Sequence, residues 1–301
     1  MSALAMGTLF PRELANEMFS KVKGHSSLAK MANQDAIPFV GKDYFVFSLD
    51  NDISVVGEGA AKPAGDATVT SVTVKPIKVV YQSRVNEEFM YAAEERRMQY
   101  LQDFADGFAK KLAAGLDKMA LHGVNPATGS ASAVIGNNYI DYIAQATAIT
   151  YNGSTPDANL ESAIAVLEAN EIAPSGIILS PIMRSAIGAM TNSADGFKYP
   201  GFQFGGVADL GGIPVDSNIT VGSASGSNDR ALVGDFSAFK WGIAKDIPLE
   251  VIEYGNPDGG SYDLKQANQV LLRSEAWIGW GILDANAFCL VAKDGTPIVT
   301  N

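Results

Sequence analysis

Hydrophobic and polar positions change rhythm several times along this chain, and each change predicts a different element. From Thr68 to Val85 β-branched residues fall at nearly every other position, the period of an extended strand. Ile53 to Val56 leads in from the other side, and between them lies Gly57-Glu58-Gly59-Ala60-Ala61-Lys62-Pro63-Ala64-Gly65-Asp66. The pattern predicts a long two-stranded arm, roughly Lys42 to Asn86, with a glycine-rich tip. Such an arm cannot bury both of its own faces and is marginal alone, so it is expected to lie on another subunit. From about Glu94 to Leu121 the period lengthens. Leu101, Phe104, Phe108, Leu112, Leu116 and Met119 recur at spacings of three and four, which makes one apolar stripe on a helix about 40 Å long, with Gly123 as its stop.

Upstream, residues 1 to about 42 predict one short helix, with Pro11 at its first turn and Leu14, Met18 and Phe19 on one face. A polar extended stretch through Ser26 and Asn33 follows. Between about Val124 and Lys245 helices alternate with short strands. Thr155 is expected to cap a helix that has Pro156 at its first position and an inner stripe of Leu160, Ile164 and Leu167. Gly176-Ile177-Ile178-Leu179 predicts a fully buried strand, and Ser180-Pro181 restarts a helix toward Met190 by the same cap chemistry. Ile213-Pro214-Val215 and Ala231-Leu232-Val233 are further strands of a compact α/β lobe. After Ile247 the chain turns strand-rich over Leu249 to Tyr254, Gln269 to Trp280 and Phe288 to Ala292.

Composition narrows the class. The 301 residues are 47% hydrophobic and 18% charged, which suits a globular chain and argues against disorder. No apolar run approaches the roughly 18 residues of a membrane span, and no signal core opens the sequence. A soluble, cytoplasmically made protein is expected. Cys289 is the single cysteine, so no intrachain disulfide framework exists; its strand context predicts a small core residue in a reducing compartment. The net charge of −11 weighs against duplex binding by affinity, since such binding is built from Lys and Arg on phosphates. Arg96-Arg97 and Lys110-Lys111 read as a solvated helix face, and Val221 to Asp229 as one surface loop.

Catalytic constellations are absent. Of two histidines, His25 sits in a polar arm and His122 at a helix end, where the dipole favours a cation. Neither His-Glu-x-x-His nor Cys-x-x-Cys occurs, and Gly222-Ser223-Ala224-Ser225-Gly226 has Ala where a nucleophile would stand. Glu87-Glu88 and Glu94-Glu95 flank a helix start, where carboxylates favour the dipole. No metal or cofactor is expected. A phosphate-cradling loop would need a helix directly after its glycines, whereas Pro63 and Gly65 open a strand.

The order of elements then carries a resemblance. A short N-terminal arm, a β arm tipped by Glu58-Gly59-Ala60-Ala61-Lys62-Pro63, a long helix ending Leu121-His122-Gly123, an α/β lobe with Gly176-Ile177-Ile178-Leu179-Ser180-Pro181, and closing strands together resemble the major capsid proteins of tailed bacteriophages. The most specific pieces are the arm tip with Val79-Val80-Tyr81-Gln82-Ser83-Arg84 and the Gly-Ile-Ile-Leu-Ser-Pro step. The resemblance covers essentially the whole chain and implies an α+β fold of the Hong Kong 97 capsid type. It implies an N-arm over residues 1–42, an extended E-loop hairpin over 43–86, a P-domain with its spine helix over 87–123, and an α/β A-domain over 124–246. P-domain return strands follow over 247–286, and a C-terminal strand over 287–301 rejoins the A-domain.

What the resemblance implies about function follows from that layout. The chain is expected to assemble with itself, as hexamers and pentamers, into an icosahedral virion head around double-stranded DNA that it does not read by sequence. Portal and decoration proteins are expected partners. Many members begin with a scaffolding segment of about a hundred residues; here the E-loop is reached by residue 53, so a separate scaffolding protein is expected. Gly57, Glu58, Gly59, Lys62 and Pro63 are the expected intersubunit contacts of the tip. One branch of the family welds an E-loop lysine to a P-domain asparagine with help from a glutamate, and Lys62, Asn268 and Glu275 stand in a similar order. The alternative for these three is non-covalent: Lys62 pairing across an interface, Glu275 serving it or Arg273, and Asn268 as a strand-end polar group. Two other readings of the chain are an encapsulin-type compartment with a protein cargo and a phosphate-ligand enzyme built on the loop from Gly57 to Lys62.

Overall fold

A computed structural model describes residues 25–49, 51–91, 94–194, 196–222, 228–244 and 249–294. The expected helix around Pro11 to Phe19 and most of the loop from Val221 to Asp229 lie outside the described residues. In chain order the helices are α1 (Ser27–Met31), α2 (Glu94–His122), α3 (Ile140–Ile143), α4 (Pro156–Ala169) and α5 (Pro181–Gly188). The strands are β1 (Lys42–Leu49), β2 (Ala67–Val74), β3 (Ile77–Asn86), β4 (Ile149–Thr150), β5 (Gly176–Leu179), β6 (Val215–Ser217), β7 (Asp229–Gly234), β8 (Phe239–Ile243), β9 (Leu249–Ile252), β10 (Gln269–Ile282) and β11 (Phe288–Ala292). Among the described residues no helix is long and apolar enough to cross a membrane.

Three sheets organise these strands. β1 and β2 form an antiparallel ribbon of their own, in register from Lys42 opposite Val74 to Leu49 opposite Ala67. β10 is the axis of the second sheet. β3 runs antiparallel along one edge, from Gln269 opposite Asn86 to Ile278 opposite Ile77, while β9 and β8 share the other edge. The third sheet, in the order β4-β11-β7-β5-β6, makes the lobe. Its strand β5 is buried at all four residues, as a continuous apolar run in a covered sheet should be.

The ribbon is therefore shorter than its sequence pattern. The β-branched run from Thr68 to Val85 is cut at Lys75-Pro76, because proline has no N–H for a ladder and restricts the residue before it. β3 joins β10 instead of extending the arm to Asn86. β8, inside the stretch read as lobe, likewise pairs with β10, while β11 lies in the lobe sheet.

α2 is 29 residues long, about 43 Å, and buries Leu101, Phe108, Leu112, Leu116 and Met119. Ala105, Ala109, Ala113 and Ala120 widen that stripe and let the sheet approach closely. Phe104 is only half-buried, at the stripe's margin, and packs against Tyr81 of β3 at 5.9 Å between ring centroids. Gly123 ends the helix at φ +66°, its N–H donating to the Met119 carbonyl at 3.0 Å. A side chain there would also meet the Tyr139 ring at 2.5 Å.

Ser180 caps α5 as its sequence predicts, its hydroxyl accepting from the Met183 N–H. Thr155 does not cap α4 with its side chain; only its backbone carbonyl takes part, accepting from Asn159 N–H at 3.2 Å. Cys289 is buried in β11 and donates its thiol to the Thr147 carbonyl at 2.8 Å, and burial pushes its pKa up to about 12.

Candidate assembly interface

The β1–β2 ribbon is fastened at one end. Val74, the last residue of β2, is fully buried in a notch of β10 that exists because Gly279 and Gly281 have no side chains. A Cβ on Gly281 would stand 2.4 Å from a Val74 methyl. Asp35 grips β1 beside it, accepting from Lys42 Nζ at 2.7 Å and Tyr44 Oη at 2.6 Å. The Lys42 hydrogen bond, with that of Tyr44, holds the Asp35 carboxyl down at about 2.

Beyond this root the ribbon is open on one side. Because strand side chains alternate, Asp43, Phe45, Phe47 and Leu49 share a face with Thr73, Ser71, Val69 and Ala67 opposite them. Asp43 and Thr73 satisfy each other at 2.6 Å. The rest is an apolar stripe facing water: Phe45 is 75% exposed, Phe47 62%, Leu49 74% and Val69 61%. A contiguous stripe of this kind on a charged, acidic protein marks a contact surface.

The tip carries the residues singled out from sequence. Ala60 N–H donates to the Gly57 carbonyl at 3.1 Å, closing a turn with Glu58 and Gly59 at its centre; Gly59 has φ +81°, the conformation a type II turn demands of its third residue. Gly57, Glu58, Gly59, Lys62 and Pro63 are all exposed. The next element is β2 and no helix follows the glycines, so the loop lacks the convergent N–H groups of a phosphate site.

The other two residues of the expected weld are apart from the tip's turn. Asn268 sits just before β10 with φ +50°, its carbonyl accepting from Glu87 N–H at 2.9 Å. Glu275 lies seven residues on, about 23 Å along an extended strand. It pairs with Lys78 across the β3–β10 ladder at 2.8 Å, not with Arg273, which donates to Gln82 Oε1 at 3.1 Å.

Sequence reasoning missed a buried polar junction at the far end of α2. Asp117 accepts from Ser26 Oγ at 2.5 Å, Ser27 N–H at 3.1 Å, Leu28 N–H at 3.3 Å, Thr220 Oγ1 at 2.8 Å and Asn218 Nδ2 at 3.2 Å. One carboxylate thus fastens α1 and the 219–222 turn to the long helix; burial raises its pKa against the pull of those donors. One turn later His122 is 2% exposed, its Nδ1 at 2.6 Å from Asp141 Oδ2 and 3.4 Å from Asp229 Oδ2, its Nε2 at 2.9 Å from the Thr220 carbonyl oxygen. The three come from α2, α3 and β7 and share no short spacing, so no motif announced them. Only the amphipathic context of His122, at the end of an apolar stripe, hinted at burial.

Comparison with known proteins fits this architecture. The model of the phage capsid family matches residues 6–293. A solved chain from Mycobacterium phage Ogopogo is 31% identical, with a TM-score of 0.76 over 89% of this chain and 92% of that one. One from Gordonia phage Cozz is 24% identical, with a TM-score of 0.74 over 89% and 86%. The capsid of an empty GTA particle shares the fold at 15% identity and a TM-score of 0.63, over 89% and 90%. No curated protein matches. An exposed arm on a firm root, a long helix beneath a two-sided sheet and a family match over nearly the whole length converge: the chain belongs to the phage capsid family and is a structural major capsid protein of the virion head shell, not an enzyme.

Proposed function

We propose that the β1–β2 ribbon is the arm by which each copy grips its neighbour in the shell. The observation that carries this reading is the stripe of Phe45, Phe47, Leu49 and Val69, left in water by the chain's own fold. Covering it with a second copy contributes about 2 kcal/mol per side chain, ample when repeated around a ring of identical contacts. Gly57, Glu58, Gly59, Lys62 and Pro63 then belong to the intersubunit contact. In this reading the ribbon is the E-loop, α2 with the β10 sheet is the P-domain, and the lobe is the A-domain that closes hexamers and pentamers.

The shell encloses double-stranded DNA without reading it, in keeping with a net charge of −11. A scaffolding protein, a portal and decoration proteins complete the partners. Deleting Val56 to Asp66 tests the arm: the expected product keeps its circular dichroism but sediments without closed shells, and normal particles would refute the proposal. Nucleic acid recovered from wild-type particles separates a head from a compartment for protein cargo.

A covalent weld of Lys62 to Asn268 belongs to the same proposal: the deprotonated Lys62 Nζ attacks the Asn268 Cγ, the Nζ–Cγ amide bond forms, the Cγ–Nδ2 bond breaks, and the side-chain nitrogen leaves as ammonia after taking up the proton. Since Glu275 lies about 23 Å from Asn268 along β10, a glutamate assisting the reaction comes from a different copy. Mature particles boiled in detergent would give a ladder of linked chains that Lys62→Ala abolishes; one band at monomer mass excludes the bond.

A further inference from the structure

The junction of His122, Asp141 and Asp229 plays no part in the arm, and its geometry asks for a positive charge. All three side chains are 1–2% exposed. Both ring nitrogens of His122 face acceptors: Nδ1 meets Asp141 Oδ2 at 2.6 Å and Asp229 Oδ2 at 3.4 Å, while Nε2 meets the Thr220 carbonyl at 2.9 Å. A neutral imidazole has a single N–H, so one of these contacts would set lone pair against lone pair in a site without water's screening. A second proton on the ring removes the conflict. A divalent ion is the other way to supply charge, but two ligands at about 2.1 Å from one ion stand about 3 Å or more apart. The 2.6 Å contact is a hydrogen-bond distance.

The groups facing the ring come from every element around it. Asp141 belongs to α3 and Asp229 to β7, whose neighbouring Arg230 turns away, donating to the Asp229 carbonyl at 3.0 Å with its guanidinium 5.9 Å from the Tyr151 ring. The 219–222 turn presents the Thr220 carbonyl, and behind it the Thr220 hydroxyl reaches Asp117 of α2. The negative end of the α2 dipole lies at His122 as well. We propose that one proton, held between His122 and the carboxylates of Asp141 and Asp229, locks the last turn of α2 to the lobe, and that its loss in alkali releases the lobe from the helix.

Burial works to lower the basicity of His122, but the charge and hydrogen bond of Asp141, the charge of Asp229 and the Thr220 carbonyl outweigh it and raise the ring from 6.5 to about 9. Because the folded value is raised, the lock contributes in full below about pH 6.5 and fades as pH climbs through about 9.

The chain has only two histidines, and His25 is exposed, so solid-state nitrogen spectra of the full-length, histidine-labelled protein contain one buried ring and one reference ring. At pH 7.5 the His122 ring should show two protonated nitrogens and convert only near pH 9, with Asp141→Asn moving that conversion down by a pH unit or more, a tenfold loss of proton affinity. In thermal unfolding the gap between wild type and His122→Gln should be wide at pH 7 and close above pH 9. A neutral ring at pH 7.5, or a gap constant from pH 6 to pH 10, overturns the proposal. So does one tightly held divalent metal per chain whose chelation reproduces His122→Gln.

Discussion

β2 and β3 follow one another in the chain and each pair antiparallel, yet β2 stands in water beyond its root while β3 rests half-buried Ile77 and Val79 on the core. β2 buries Val74 and little else; β3 lies on β10, under which α2 packs, with Tyr81 of β3 on Phe104. The strand richer in β-branched residues is thus the more exposed one here, and the partner strand decides burial. β1 offers β2 one ladder and no second layer, whereas β10 offers β3 a sheet backed by a helix. It follows that the ribbon draws its stability from its root and its neighbours in the shell, and the body from its own core.

Mutations can break that division. The largest effect is expected at Phe108→Asp, which puts an unpaired charge where the side chain is 3% exposed; a loss of about 4 kcal/mol should leave the chain unfolded or insoluble before assembly arises. Circular dichroism of the expressed protein decides this, and a folded, assembling variant would mean the helix buries another face. Next is Gly281→Val, which drives a side chain into Val74 and should cost about 1–3 kcal/mol while unseating the ribbon. Combined with Val74→Ala it should regain part of the loss, because the methyl in the way is gone; a cycle with no coupling would deny the notch.

The smaller effects sharpen the contrast. Phe47→Asp lies on the exposed stripe, so the unfolding midpoint should move by less than about 0.5 kcal/mol while sedimentation shows closed shells lost. Normal shells would move the contact to another face. Smallest is Asp35→Asn at the root. Its carboxyl is depressed to about 2, so its contribution is present above the ordinary carboxylate value near 4 and lost as pH falls through about 2. The variant should melt slightly below wild type at pH 7, and the gap should shrink as pH falls from about 4 toward 2.

Much of this was legible before the fold. The tip from Gly57 to Pro63 announced itself by glycines followed by a strand, α2 by its stripe, and the β5–α5 step by an apolar run ending in Ser180-Pro181. These are local signals, each written within a few residues. What stayed hidden depended on partners far away in sequence. Pro76 lay inside a run read as one continuous arm to Asn86, and nothing local said that β3 would turn to β10. Nothing near Phe239 to Ile243 said that β8 would leave the lobe for the other sheet. The Thr155 cap failed because its backbone carbonyl, and not its hydroxyl, meets the first turn of α4. Asp117 carried no signal of its own and His122 read only as a helix-end residue, because their partners come from α1, α3 and β7, far away in the sequence.

Cys289 has a practical consequence for anyone handling the particle. The single thiol is sealed in β11 and its pKa stands near 12, so at neutral pH almost none of it is the reactive thiolate. The native shell therefore presents maleimide or iodoacetamide reagents with a blank surface. A cysteine placed by Glu58→Cys would be the only accessible nucleophile of its kind on each copy, making the arm tip addressable with a dye, a spin label or a grafted peptide without first removing a natural cysteine.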